Sequence, residues 1–324
     1  MKAALYERTG PAAEVLRVTE IDRPDPGPGQ VRVRVHASGI NPTDVKSRSG
    51  AVPRPIDGYQ IPHHDGAGVI DAVGSGVDRG RVGEQVWLWL AAHRSRYGTA
   101  AQWTVVPDRH AVTMPDGVSM ELGASLGVPG ITAHRCVFAD GPVSGSTLLV
   151  AGGAGAVGHF SIQLGNWGRA GTVISTAGGP ESARLASEAG ADHVVRYTDD
   201  DAADQIKAVA DPVDRVVEVA INKNLQLDLA VSRADTVVMS YAADGPDPVL
   251  PVRACMSANI VLRFMLLYTL PDAAVDHALT DITAALTAKA LTELPVHRFA
   301  LDDIAAAHEA VESGVRGKVL VIPD

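Results

Sequence analysis

Hydrophobic and polar positions fall into two regimes along this chain. From Gln30 to Ala37 (Gln-Val-Arg-Val-Arg-Val-His-Ala) valines alternate with polar residues, the two-residue period of a half-buried strand. A Pro/Gly-rich turn, Pro24-Asp25-Pro26-Gly27-Pro28-Gly29, precedes it, and Gly66 to Gly76 and Gly83 to Leu90 read as two further strands. The glycines that punctuate them suit a partly open barrel in which backbones pass close together. From about Ser119 the pattern changes to short apolar runs separated by amphipathic segments. Strands are predicted at Ser146–Val150, Thr172–Ser175, His193–Val195, Arg215–Val219 and Thr236–Ser240. Helices are predicted between them at 157–168, 181–189 and 201–210. Strand and helix alternating at this spacing predict an α/β domain with a doubly wound parallel sheet. Two more helices, at 273–288 and 304–313, and a last strand at Lys318–Ile322 complete the pattern.

A length of 324 residues predicts two domains rather than one core. The boundaries implied are 1–121 with 268–324 for the strand-rich domain and 122–267 for the α/β domain. Hydrophobic residues at 46% and charged residues at 20% describe an ordered globular chain, and only 4% are aromatic, so Ala, Val, Leu and Ile must fill the core. The formal net charge of −10, with no long basic run, argues against nucleic acid or an acidic lipid surface as partner. Two cysteines, Cys136 and Cys255, can form neither a disulfide framework nor a structural zinc site by themselves. The first residues contain no signal-peptide core, and no apolar run reaches the roughly 20 residues of a membrane span. These features predict a cytoplasmic protein without a membrane segment.

The sharpest chemical signal is Gly153-Ala154-Gly155-Ala156-Val157-Gly158, a G-x-G-x-x-G placed after a predicted buried strand and at the opening of a helix. In that context the glycines permit a tight turn and a close backbone approach, and the helix N-terminus offers N–H groups to a pyrophosphate. An NAD site places an acidic residue about 20 residues further on. Here the second strand ends Ser175-Thr176-Ala177-Gly178, without a carboxylate. The small hydroxyls of Ser175 and Thr176 leave room for a 2′-phosphate that Arg184 could neutralise, so the expected coenzyme is NADP(H). Arg184 reads equally well as a solvated helix charge.

These residues resemble the medium-chain dehydrogenase/reductase superfamily, and within it the zinc-free quinone oxidoreductases related to zeta-crystallin. The resemblance rests on Ser38-Gly39-Ile40-Asn41-Pro42-Thr43-Asp44, on 67–74, on Val128-Pro129-Gly130-Ile131-Thr132, on the glycine fingerprint and on Glu218 to Leu225. It implies a Rossmann domain joined to a mostly-β, GroES-like partly open barrel, and hydride transfer from NADPH to a small molecule, a quinone or an activated enone. It places Asn41, Asp44 and Thr132 near the nicotinamide, Tyr197 and Lys318 near the coenzyme phosphates, and Ser240 at the coenzyme-facing end of the fifth strand. Asp44 reads also as a helix-cap or turn residue, and Thr132 as a helix cap.

Zinc-dependent members of the superfamily need three protein ligands for a catalytic ion. At their positions this chain has Asn41, Val128 and His64, so the resemblance implies no metal and leaves His64 as a hydrogen-bonded cleft residue. Without a Lewis acid the acceptor must be easily reduced, which favours a quinone or an activated carbon–carbon double bond over a saturated alcohol. Lys46 and Val52 stand where relatives carry tyrosines, which leaves Lys46, His63, His64 or solvent to supply the proton. A low-turnover NADPH-binding role of the crystallin kind is the remaining alternative. In similar proteins the region corresponding to Asn259–Leu270 joins two subunits, so a homodimer or a dimer of dimers is expected. That apolar segment would follow the sheet's last strand, or else form a buried passage in a monomer.

Overall fold

A computed structural model describes residues 1–210, 212–243 and 245–323. The chain divides into two compact units, Met1–Val128 with Pro295–Asp324, and Pro129–Leu294. The return to the first unit thus falls at Pro295, later than the 268 expected from the sequence. The helix Asp272–Thr287 and the segment after it are fastened within the second unit, where Thr292 N–H donates to Gln163 Oε1 and His159 Nε2 meets the Thr292 carbonyl.

The first unit opens with an antiparallel ribbon, β1 (Lys2–Leu5) against β2 (Arg17–Glu20). Its main sheet contains β3 (Gln30–Gly39), β4 (Asp65–Val73), β5 (Gln85–Leu88), β6 (Trp103–Pro107) and β7 (Ala111–Thr113). In β3 the alternation works as the sequence implies. Val31 and Val33 join Ile70, Val86, Leu88 and Val106 in one core cluster, while Arg34 and His36 are exposed. Arg32 breaks the pattern: its side chain is buried, and its guanidinium is met by Asp71 at 2.8 Å and Asp25 at 2.8 Å. A buried guanidinium without such carboxylates would cost several kcal/mol.

The second unit is a six-stranded parallel sheet. Its strands are β8 (Thr147–Val150), β9 (Thr172–Ala177), β10 (His193–Arg196), β11 (Val213–Glu218), β12 (Ser232–Ser240) and β13 (Val261–Phe264), in the order β10-β9-β8-β11-β12-β13. The two-residue period sends alternate side chains of each strand to opposite faces. Leu148 and Val150 pack in one cluster with Ile162 and Val173, and Leu149 packs in another with Ile174, Val216 and Ile206. This is the doubly wound arrangement expected, with the order reversing between β8 and β11, where such sheets open a crevice at their carboxyl ends.

One expectation is corrected here. The apolar segment from Asn259 does not follow the last strand but supplies it: Val261–Phe264 is β13, paired on one side with β12. Nor is it a buried passage, since Phe264 is 71% and Leu266 54% exposed.

The last two strands, β14 (Val296–Ala300) and β15 (Lys318–Ile322), rejoin the first unit, whose main sheet runs β14-β15-β3-β4-β5-β7 with β6 paired to β3. It is mixed and does not close into a full barrel. No helix among the described residues is long and apolar enough to cross a membrane.

Candidate active site

Each unit contributes a distinct constellation. In the second unit β8 ends at Val150 and the chain turns through Ala151–Gly155 into the helix Ala156–Trp167. Among the described residues no side-chain cap hydrogen bond closes this helix, whose first-turn N–H groups have no intrahelical acceptor. A Cβ on Gly158 would lie 2.3 Å from the Gly152 carbonyl oxygen, and one on Gly153 would lie 2.2 Å from Ser175 Oγ. Both glycines are therefore demanded by the chain's own packing. Gly155 differs. Its φ of −81° suits any residue, and a Cβ there would meet nothing nearer than the Gly152 oxygen at 3.4 Å.

Ser175 and Thr176, the small hydroxyl residues at the end of β9, are both buried and bond to the glycine turn. Ser175 is fully buried, where its Oγ accepts from Gly153 N–H at 3.1 Å and lies 3.1 Å from the Val150 carbonyl; Thr176 Oγ1 accepts from Gly152 N–H at 3.2 Å. They fasten the turn to the neighbouring strand, alongside the backbone bond from Gly153 N–H to the Thr176 carbonyl. Gly178, at the tip of β9, lies under the half-exposed Tyr197 ring; a Cβ on it would sit 2.9 Å from the tyrosine hydroxyl. Arg184 is exposed and bonded to Glu188 one turn on, at 2.6 Å. Ser240 ends β12 with its Oγ 3.3 Å from the Ala242 carbonyl, and Thr132 is buried on the helix Met120–Phe138.

Glu218 ends β11, and its carboxylate accepts from the Ala220 N–H and from Asn224. Burial raises its pKa. Burial and the neighbouring Glu218 charge raise that of Asp228 well above the usual range.

In the first unit Asn41 caps the helix Pro42–Ser49, and Asp44, three residues on, accepts from the Asn41 N–H at 2.8 Å. The Asn41 side chain faces Asp65, the first residue of β4: its Nδ2 donates to Asp65 Oδ2 at 2.7 Å, and its Oδ1 accepts from Lys318 Nζ at 2.8 Å. Asp65 also accepts from the Val128 N–H at 2.8 Å and lies 3.9 Å from Lys318. All three side chains are buried. Lys318, which the resemblance places near the coenzyme phosphates, has its ammonium held by Asn41 and Asp65. Asp65 is the hub that sequence reasoning missed. The available signal was a triplet of titratable residues, His63-His64-Asp65, entering an apolar glycine-rich strand.

His63 and His64 flank the cluster. Burial holds both well below the ordinary histidine range, reinforced by His308 at His63 and by Arg54 at His64, so both rings are neutral. Arg54 Nη1 lies 3.2 Å from His64 Nε2. A guanidinium can only donate, so Nε2 accepts and the ring proton sits on Nδ1. At His63 the order of donors is fixed likewise. Thr99 donates to the Asp65 carbonyl, so it accepts from Ser38; Ser38 accepts from His63 Nδ1; and His308 Nε2 donates to His63 Nε2 at 3.0 Å.

Asp44 faces a narrow pocket lined also by Tyr6, Ser47, Arg54, His63 and His64. Burial, with help from the Asp65 charge, pushes its carboxyl up to about 7, and burial pushes Asp65 up to about 6 against the pull of Lys318. Burial lowers Lys318 in turn. Lys46 lies on the same short helix as Asp44, with its side chain partly exposed.

Two family models match, the alcohol dehydrogenase GroES-like domain over residues 27–116 and the zinc-binding dehydrogenase over residues 156–283. A quinone oxidoreductase of Mus musculus is 31% identical over 253 residues, which cover 76% of this chain and 74% of that protein. The chain belongs to the quinone oxidoreductase family of the medium-chain dehydrogenases/reductases. Solved members of the superfamily overlay along nearly the full length. An NAD-dependent alcohol dehydrogenase matches with a TM-score of 0.89 and 25% identity over 99% of both chains. A mycobacterial protein solved with NADPH matches with a TM-score of 0.85 and 27% identity over 100% of both. As a family member the chain is an oxidoreductase.

Proposed function

We propose that this chain is an NADP(H)-dependent reductase of quinones that works without a catalytic zinc. Gly155 carries the reading. Nothing in the protein's own packing requires a glycine there, yet it opens an uncapped helix directly after the central strand. A missing side chain that the fold does not need is the space a pyrophosphate would fill, with the helix N–H groups as its donors. The coenzyme, when bound, supplies the hydride; the protein supplies orientation and charge. The tip of β9 carries no carboxylate to accept from a ribose 2′-hydroxyl or to repel a 2′-phosphate, and the Tyr197 ring beside it offers a flat surface to an adenosine. This favours NADPH over NADH.

The residues at the zinc-ligand positions do not fit the ion. Asn41 spends both ends of its amide on Asp65 and Lys318, Val128 has no donor side chain, and the His64 Nε2 lone pair is taken by Arg54. Two cations, Lys318 and Arg54, stand where a zinc ion would need negative or neutral donors. Reduction of a quinone to a hydroquinone consumes a hydride and a proton, and Asp44, with its carboxyl near 7 beside the pocket, is the group placed to hold that proton at neutral pH. A neutral imidazole is a far weaker acid, which removes His63 and His64 from that role.

The open edge of β13, with Phe264, Leu266 and Met256 exposed near it, supports a homodimer joined strand to strand. The reading is tested by titrating the protein with NADPH and NADH, then following coenzyme oxidation with 1,4-benzoquinone and with a 2-alkenal. NADPH should bind at least about 10-fold more tightly, equivalent to about 1.4 kcal/mol, and benzoquinone should be the faster acceptor. Equal affinity for NADH, or turnover with the alkenal alone, would reverse it.

A further inference from the structure

Away from the elbow and the Asp65 cluster, the second unit brings together two histidines and an aspartate. His277 and Asp281 stand one turn apart on the helix Asp272–Thr287, and His134 faces them from the helix Met120–Phe138. His134 Nε2 lies 2.8 Å and His277 Nε2 3.2 Å from the same oxygen, Asp281 Oδ2, and the three ligand atoms lie within 4.8 Å of one another. His134 is fully buried, with its ring against Phe138, whereas His277 is 58% exposed, so the group has one wall in the core and one side open to solvent. None of these residues takes part in the constellations described above.

We propose that His134, His277 and Asp281 bind a borderline divalent metal ion, zinc(II) or its chemical neighbours, with a water in the fourth position. Two imidazoles and one carboxylate suit such an ion, and suit magnesium or calcium poorly. The spacing agrees. With zinc–nitrogen bonds of about 2.0–2.1 Å and tetrahedral angles, two ligating imidazole rings have centroids about 5.2 Å apart. Those of His134 and His277 are 5.2 Å apart, with planes at 83°. Opening the 2.8 Å contact by about half an ångström gives the oxygen–nitrogen separation of a tetrahedral site.

Without metal the His134 ring donates from Nε2 to Asp281, and its buried Nδ1 has no hydrogen-bond partner among the described residues. A bound ion would move that proton to Nδ1, where no acceptor steadies it. The missing outer partner costs about 10–100-fold in affinity, so binding should be micromolar rather than nanomolar. An ion here would tie the helix Asp272–Thr287 to the 129–138 segment, stabilising the second unit without entering the reaction.

The test uses the full chain stripped with chelator and titrated with cobalt(II), then with zinc(II) in competition, following the visible absorption of four-coordinate cobalt and the melting temperature. The expected result is one cobalt per chain with an intense tetrahedral spectrum, displaced by zinc, and a raised melting temperature. In His277→Ala and Asp281→Asn the affinity should fall at least about 10-fold, with NADPH oxidation unchanged in both. His277 is exposed, so its variant should fold. Cobalt binding weaker than about 1 mM, or an unchanged spectrum in His277→Ala, would overturn the proposal and leave a hydrogen-bonded clamp between two helices.

Discussion

The glycine elbow and the Asp65 cluster are built by opposite means. The elbow is contiguous: the six residues Gly153–Gly158 shape it, its working groups are backbone N–H donors, and half of its side chains are single hydrogen atoms. The cluster is assembled from distant segments. Asn41 reaches Asp65 across 24 residues and Lys318 across 277, and every working group is a side chain held by another. A site made of backbone is sensitive to added bulk and indifferent to charge. A site made of mutually bonded charges fails when any one member is removed, because the others are left buried without a partner. This explains why the first site can wait uncapped for an anion, whereas the second is satisfied within the chain.

That contrast can be broken most forcefully at Asp65. Replacing it by alanine leaves the Lys318 ammonium without its counter-charge, and the Val128 N–H and the Asn41 amide without their acceptor, in the interior. We expect a loss of about 3–5 kcal/mol in denaturant unfolding, concentrated in the first unit; a loss below about 1 kcal/mol would show that water replaces the carboxylate.

A smaller effect separates two glycines of one motif. Gly155→Val should raise the NADPH dissociation constant about 100-fold, about 2.7 kcal/mol, while the melting temperature stays put. Gly158→Ala should do the reverse, costing about 1–3 kcal/mol of stability, because its Cβ has a carbonyl oxygen 2.3 Å away. Identical behaviour of the two variants would dissolve the distinction between a glycine kept for the fold and one kept for the ligand.

Taken per unit of pH, the smallest effect is in the pH dependence of stability. His308 is held down to about 3 by burial, assisted by the Arg48 charge. A histidine whose folded pKa lies below its unfolded value of about 6.5 takes up its proton more readily when unfolded, so its contribution to stability rises with pH between about 3 and 6.5 and is flat above. Asp44 has the opposite sign. Its folded value near 7 exceeds the ordinary aspartate value, so the protonated carboxyl favours the fold at low pH, and that advantage is lost as pH rises towards 7. Each such group contributes at most about 1.4 kcal/mol per pH unit inside its window. His308→Leu should therefore flatten the acid limb of a stability–pH curve, and Asp44→Asn should remove the decline approaching pH 7. Superimposable curves for wild type and both variants would show that these groups titrate alike in folded and unfolded chains.

Much of this was legible in the residue order. The alternation of β3, the buried runs of β8 and β11, and the glycine fingerprint between strand and helix are local patterns, and local patterns report on the segment that carries them. The family followed from the same stretches. The roles of single side chains did not. Ser175 and Thr176 read in sequence as small residues that leave room for a phosphate, and only the folded turn shows that their hydroxyls accept from Gly153 and Gly152 N–H.

By itself the sequence determined the parallel sheet, the elbow at Gly153–Gly158 and the absence of a carboxylate at the end of β9, because each is a property of a few consecutive residues. Tertiary structure alone decided that Asp65 is a hub, that Lys318 and Asn41 gather beside it, that Arg54 covers the His64 lone pair, and that His134 meets His277 and Asp281. Those pairings join residues up to 277 positions apart. No periodicity encodes them, since they arise only when separate strands and helices are folded against a common core.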